Sequence, residues 1–261
     1  MPIRMLTATR YVTPLREGGS LPAIVEASDD RLYVLKFRGA GQGPKALIAE
    51  LVAGEILRAL GLPVPELALV EVDAALGRTE RDPEIQDLLQ ASVGLNLAMA
   101  YVPNALSFDQ LLTPPPTPDR ASAIVWADAY VTNVDRTPQN PNMLIADGQL
   151  WLIDHGAALY VHHAWGDYLT RSKSAFPQVR QHVLLPFADR IATADQSLSA
   201  QLTPELIRSI VGLVPAGWLL EEGSFADTEA HRAAYVDYLT RRLEPPRAFV
   251  EEAINAHTQR V

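Results

Sequence analysis

Acids and amides crowd two short stretches of this chain. Asp135 and Arg136 are followed by Asn140 and Asn142, and Asp154-His155-Gly156 comes soon after. Between them run Met143-Leu144-Ile145 and Leu150-Trp151-Leu152-Ile153, joined through Ala146-Asp147-Gly148. An Asp-Gly tip between two apolar runs predicts a hairpin. A hairpin sets the start of its first strand beside the end of its second, so Asn142 is expected next to Asp154, with Asp135 a few residues away. Three oxygen-bearing side chains at one mouth make an incomplete hard shell. Such a shell suits Mg²⁺, which keeps its other positions for water and substrate phosphate. Turn-forming tendency alone accounts for Asp147-Gly148. It accounts less well for Asp-Arg and two asparagines at one end and Asp-His-Gly at the other.

A second candidate is Lys36, in the apolar run Tyr33-Val34-Leu35-Lys36-Phe37. A lysine inside such a strand loses hydration unless an anion meets it. The helix that follows offers Glu50 and Glu55. A strand lysine held by a helix glutamate can aim its ammonium at nucleotide phosphates; the plainer alternative is an outward-facing lysine near a strand end.

These side chains need elements to carry them. Residues 11–38 read as strands, with 21–28 and 31–37 joined by the turn Asp29-Asp30. A Gly-rich loop holding Gly39, Gly41 and Gly43 leads into a helix over 46–61, stopped by Gly61. That loop reads as a mobile flap or as a plain solvent loop. Residues 62–73 read as extended, and 94–105 as a strand ending at Pro103, so the first hundred residues run β-β-α-β-β. The proline-dense stretch 113–119 is a connector. A helix is expected over 120–134 with Asp119 as its N-cap, then the hairpin, then helices near 178–192, 203–213, 227–243 and 245–258. Thr203-Pro204 and Glu244-Pro245 read as helix starts with proline at the first helical position.

Composition narrows the function. The 261 residues are 48% hydrophobic, enough for a full core in one or two domains. A net charge of −9 argues against broad nucleic-acid or anionic-membrane binding, which needs a basic face. With no cysteine, disulfides, thiolate nucleophiles and Cys-based zinc sites are excluded. No run approaches the roughly 20 apolar residues that span a bilayer, so a cytoplasmic location is expected.

The stretch VDRTPQNPNMLI…WLIDHG resembles the catalytic and metal loops of the protein-kinase-like superfamily, and is closest to its HipA-like and phosphatidylinositol-type branch. YVLKFRGAGQGPKALIAELVAGEILRALGLPVPE is similar to HipA-like kinases in its strand lysine, its helix and its LGLPVP ending. The resemblance covers most of 15–160. It implies an α+β, two-lobed protein-kinase-like fold, with an N-lobe at 1–104 and a C-lobe at 105–261. It implies ATP and Mg²⁺ as cofactors, with the adenine beside Met99 and Tyr101. By the same resemblance Asp135 is the catalytic base, Lys36 the phosphate-binding lysine, Glu50 its partner, and Asn142 and Asp154 the metal ligands.

There are departures. Asn140 sits at the usual kinase spacing from Asp135, whereas Asn142 directly precedes the apolar strand; both stay candidates. His155 stands where many kinases carry phenylalanine. No G-x-G-x-x-G precedes Lys36, so Gly18, Gly19 and Ser20 are left to cap the phosphates. Arg171 and Lys173 follow the Asp-His-Gly motif and could grip an acidic group, or be surface charges. The expected acceptor is a hydroxyl, of a protein serine or threonine; a small-molecule kinase and a catalytically silent nucleotide-binding module are the alternatives. A metal hydrolase cluster of Asp154 and His155 with His162 and His163 is a further, weaker one.

Overall fold

The computed structural model describes residues 2–15, 21–77, 82–111, 114–219 and 224–259. Five strands, β1 (Arg4–Pro14), β2 (Ala23–Ala27), β3 (Leu32–Lys36), β4 (Leu67–Val72) and β5 (Gly94–Ala100), close a barrel in the order β1-β2-β3-β5-β4. Parallel pairing of β1 with β4 seals it, and the other pairs are antiparallel. Alternate residues fill its interior: Leu6, Val25, Tyr33, Leu35, Val70 and Ala98. β1 begins well before residue 11, where strand was expected. Only Leu6 and Ala8 of β1 are buried, too sparse an alternation to read as a half-buried strand.

Between β3 and β4 runs α1 (Pro44–Ala59), entered through Gly43 at φ 63° and left through Gly61 at φ 72°. Both turns need the left-handed region that glycine reaches without a Cβ penalty. The loop ahead of α1 is neither a free flap nor open to solvent throughout. Gly39 packs so tightly on Ala91 that an added Cβ would lie 2.7 Å from that side chain, and its N–H donates to Ser92 Oγ. Ala91 belongs to α2 (Pro83–Ala91), a helix the β-β-α-β-β reading omitted. It is short and buries only Ile85 and Leu89, with Asp82 accepting from Glu84 N as its N-cap. The observed order through residue 100 is therefore β-β-β-α-β-α-β.

The second half is mainly helical around a small sheet. α3 (Pro118–Tyr130) is capped by Thr117, which accepts from Arg120 N, so Asp119 lies in the first turn and is not the cap. The helix stops before residue 134 because Thr132 turns left-handed (φ 55°) and Asn133 N reaches back to Asp128 O. β7 (Met143–Ala146) and β8 (Gln149–Leu152) form the expected hairpin, with Asp147 (φ 50°) and Gly148 (φ 74°) at its tip. Positive φ at both tip residues is the type I′ geometry that Asp-Gly favours. β6 (Leu106–Ser107) adds a third strand beside β7.

Beyond the hairpin come α4 (Tyr168–Arg171), α5 (Ile191–Gln201), α6 (Pro204–Val211), α7 (Ala216–Leu219), α8 (Thr228–Leu243) and α9 (Ala248–Thr258). The helix expected over 178–192 is instead two 3₁₀ turns, Pro177–Gln181 and Leu185–Phe187, with loop around them, and α5 begins only at Ile191. Thr203 caps α6 as expected. α9 starts at Ala248 and not at Pro245, since Pro246 pushes the residue before it away from helical geometry. One large core joins α1 to α3, the hairpin and the C-terminal helices. Among the described residues no helix is long and apolar enough to cross a membrane.

This core holds a titratable group with a measurable consequence. His162 is fully buried, 3.1 Å from Tyr235 Oη, in an aromatic group with Trp165, His231 and Phe225. Burial, aided by nearby positive and imidazole groups, pushes it down to about 3. Below its unfolded value of about 6.5, the unfolded chain takes up a proton that the folded chain refuses, so stability falls with pH. The fall between pH 7 and pH 5 is about 2 kcal/mol from this residue. His162→Phe is expected to shrink the loss of unfolding free energy between those two pH values, read from urea titrations, by that amount; an unchanged loss would assign the acid sensitivity elsewhere.

Candidate active site

Period-two alternation along β3 sends Tyr33 and Leu35 into the barrel and leaves Val34 and Lys36 on the opposite face. Cross-strand pairing sets Val34 opposite Met99 and Lys36 opposite Leu97, so Met99 lies on the Lys36 face. Met99 is buried; Tyr101, at the strand's exit, is 39% exposed and donates its N–H to Leu32 O.

Lys36 Nζ meets two carboxylates at once: Glu50 Oε2 at 2.5 Å and Asp154 Oδ1 at 2.6 Å. Glu55 takes no part in this contact, being paired with Arg58 on the same helix at 3.2 Å. Glu50 is 1% exposed, and its Oε2 also accepts the backbone N–H of His155 at 2.7 Å. Burial alone would push the Glu50 carboxyl up; the Lys36 charge, with help from His155, overrides it and holds the group at about 2. For Lys36 burial works against the cation, and the charges of Glu50 and Asp154 win, leaving it above the usual lysine range. Both groups are therefore ionised at neutral pH. Asp154, in contrast, keeps half of its side chain exposed.

The hairpin mouth is closed by Ile153 N donating to Asn142 O at 3.0 Å. The residues at its two ends, Asn142 (φ 48°) and Asp154 (φ 53°), are both left-handed. Asn and Asp enter that region more easily than bulkier residues do. Asp135 sits across the mouth. Its Oδ2 accepts from Asn140 Nδ2 at 2.8 Å and from Asn142 Nδ2 at 3.3 Å, and its carbonyl accepts from Asn142 Nδ2 at 3.2 Å. The structure thus brings both asparagines to Asp135; Asn142 is buried at the strand start, while Asn140 is exposed.

Lys36, Glu50 and Asp154 form one cluster, and Asp135, Asn140 and Asn142 another, linked through the hairpin mouth. Gly18, Gly19 and Ser20 lie outside the described residues. The histidine-based cluster does not form. His162 is engaged with Tyr235, and among the described residues no three His, Cys, Asp or Glu side chains are grouped to hold a metal ion.

The arrangement is a strand lysine ion-paired to a helix glutamate and facing an Asp at a hairpin end. A family model for HipA-like kinases matches residues 9–247. The chain belongs to the HipA-like kinase family. Its fold is similar to that of the proinflammatory kinase CtkA of Helicobacter pylori, with a TM-score of 0.56 at 15% identity over 99% of both chains. The Golgi casein kinase, solved with Mn/ADP bound, aligns with a TM-score of 0.49 at 10% identity, over 99% of this chain and 74% of the other. No curated protein sequence matches the chain.

Sequence reasoning about this HipA-like kinase missed the group that holds the loop in place. Asp128, on α3, is 0% exposed. It accepts from Arg136 Nε at 2.6 Å, from Asn133 Nδ2 at 2.9 Å, and contacts His182 Nε2 at 3.0 Å. Burial would raise its carboxyl; Arg136, then His182, drive it far below the usual carboxylate range. Arg136 in turn donates to the carbonyls of Asn142, Pro141 and Ile153, so it ties the Asp135 loop to both ends of the hairpin. Asn133 Oδ1 accepts from Asp135 N at 3.2 Å, fixing the backbone two residues on. An Asp within the apolar helix run Val125-Trp126-Ala127-Asp128-Ala129-Tyr130 was the available signal, since a charge on a buried face needs a partner. Nothing in the sequence could name His182, which lies 54 residues away.

Proposed function

We propose that this chain is an ATP- and Mg²⁺-dependent phosphotransferase that moves the γ-phosphate to a hydroxyl, of a protein serine or threonine. The observation that carries the reading is the cation of Lys36, buried between Glu50 and Asp154 and held at fixed distances from both. That arrangement holds an ammonium ready for a polyphosphate without a conformational search. Family membership supports the kinase reading. On this reading the barrel, with α1 and α2, is an N-lobe (1–104) and the rest a C-lobe (105–261). The adenine then lies against Met99 and Tyr101, on the Lys36 face of the barrel.

The donor set fits a hard divalent cation. Among the described residues, no hydrogen bond engages Asp154 Oδ2 or Asn142 Oδ1, while Asn142 spends its Nδ2 on Asp135. Those two oxygens are the expected metal ligands, with Asn140 as a more exposed substitute. A divalent cation there would offset phosphate charge. Asp135, oriented by two asparagine amides, is the expected base toward the acceptor hydroxyl.

Calorimetric titration tests this reading. Wild type is expected to bind Mg·ATP, and Asp154→Ala to bind it at least tenfold more weakly, the scale of losing a charged contact of about 1.5–3 kcal/mol. Equal affinity in the two proteins would remove Asp154 from the site.

A further inference from the structure

A cavity of about 290 Å³ opens beside the loop that carries Asp135. Thr132 and Val134, just ahead of Asp135, form part of its wall, and Arg171 and Arg242 form another part. Among the described residues that line it there is no aspartate or glutamate.

Neither arginine pairs with a carboxylate among the described residues. Arg242 is buried and spends its donors on carbonyls: Nε on Tyr130 O, Nη2 on Ala129 O, and Nη1 on Ser172 O and Ser174 O. Its guanidinium also lies 4.8 Å over the Phe249 ring. Those contacts are all to neutral carbonyls, so among the described residues the positive charge has no carboxylate beside it. Arg171, half-buried, spends Nη1 on Ala164 O. The contrast with Lys173 is informative: it pairs with Glu244 at 3.0 Å and is not part of the cavity wall. In a chain with a net charge of −9, two guanidiniums without a carboxylate partner among the described residues, around a cavity whose described lining holds no acid, mark a place where an anion is favoured.

We infer that this cavity binds an anionic group, phosphate or carboxylate, carried by the hydroxyl acceptor itself. The inference rests on the kinase reading above and narrows its acceptor class. Val134 joins the cavity to Asp135, so an acceptor anchored by its anion would present a nearby hydroxyl at the Asp135 carboxylate. The carbonyl-caged Arg242 supplies fixed positive potential, and Arg171, with one bond to Ala164, is the arm that reads the anion.

Inorganic phosphate, titrated calorimetrically into the full chain, is the direct probe. Wild type is expected to bind it, Arg171→Gln at least tenfold more weakly, and Arg171→Lys in between. Lys36→Met, which disables the nucleotide site, is expected to leave this phosphate binding in place. Phosphate affinity that ignores Arg171, or that disappears in Lys36→Met alone, would overturn the assignment. The source of the anion is separated by transfer assays with Mg·ATP. One pair compares the peptides Ala-Ala-Ser-Glu-Glu and Ala-Ala-Ser-Gln-Gln; a second compares glycerol 3-phosphate with glycerol. At least a tenfold preference for the anionic member of one pair, abolished in Arg171→Gln, is the expected result. No such preference in either pair, or a preference that survives Arg171→Gln, overturns it. If wild type binds phosphate through Arg171 but does not bind Mg·ATP, the kinase reading fails and the anion site stands.

Discussion

Asp128→Ala is expected to destabilise the protein by about 3–5 kcal/mol, the range for removing one partner of a buried charge pair. The carboxylate is fully buried and serves three donors, Arg136 Nε, Asn133 Nδ2 and His182 Nε2. Without it the Arg136 guanidinium keeps its charge in the interior and retains only carbonyl partners. For a chain of this size the loss corresponds to a fall in Tm of roughly 6–20 °C. Thermal unfolding at pH 7 reads it directly, and a fall of under 2 °C would show that the network can be dispensed with. The damage should extend to function even in the fraction that folds, because Arg136 is the tie between the Asp135 loop and the hairpin.

Asp135→Asn has the largest expected effect on turnover. On the proposed reading the Asp135 carboxylate acts only as the acceptor is attacked, so its loss should lower kcat and spare nucleotide affinity. A positioned general base contributes about a hundredfold or more, and a drop of that order is expected. The substitution preserves shape but not bonding. Oδ2 accepts from both Asn140 and Asn142, and an amide nitrogen in that position would meet two donors. Measuring ATP consumption and Mg·ATP affinity on the same preparations separates the two effects. Equal consumption by wild type and variant would show that Asp135 is not the base; matched losses in rate and affinity would point to a collapsed loop.

Local signals make much of this candidate site readable in the sequence. Asp147-Gly148 announces a type I′ hairpin, and a hairpin of known register brings Asn142 and Asp154 together whatever surrounds it. Lys36 in an apolar strand demanded an anion, and Glu50 supplied it. The choice between Asn140 and Asn142 stayed open in the sequence for a reason visible in the fold: both amides reach the same Asp135 oxygen. The failures have a different origin. β1 and α2 bury too few residues to leave a periodic trace, and the helix expected over 178–192 is broken into 3₁₀ turns. Asp128 shows itself as an oddity in an apolar helix, but its partner His182 is fixed by tertiary packing alone.

One oxygen of Glu50 receives both the Lys36 ammonium and the His155 amide, and α1, which carries it, buries 11 of its 16 residues. The helix is packed against α6 and α7 as well as against the barrel strands. Swinging it outward would break the strand contact and the post-hairpin contact in one motion and wet much of its apolar surface. Such a joint behaves like a clutch with no slipping position. A brake that works by dislodging this helix would have to unfold part of the molecule to operate.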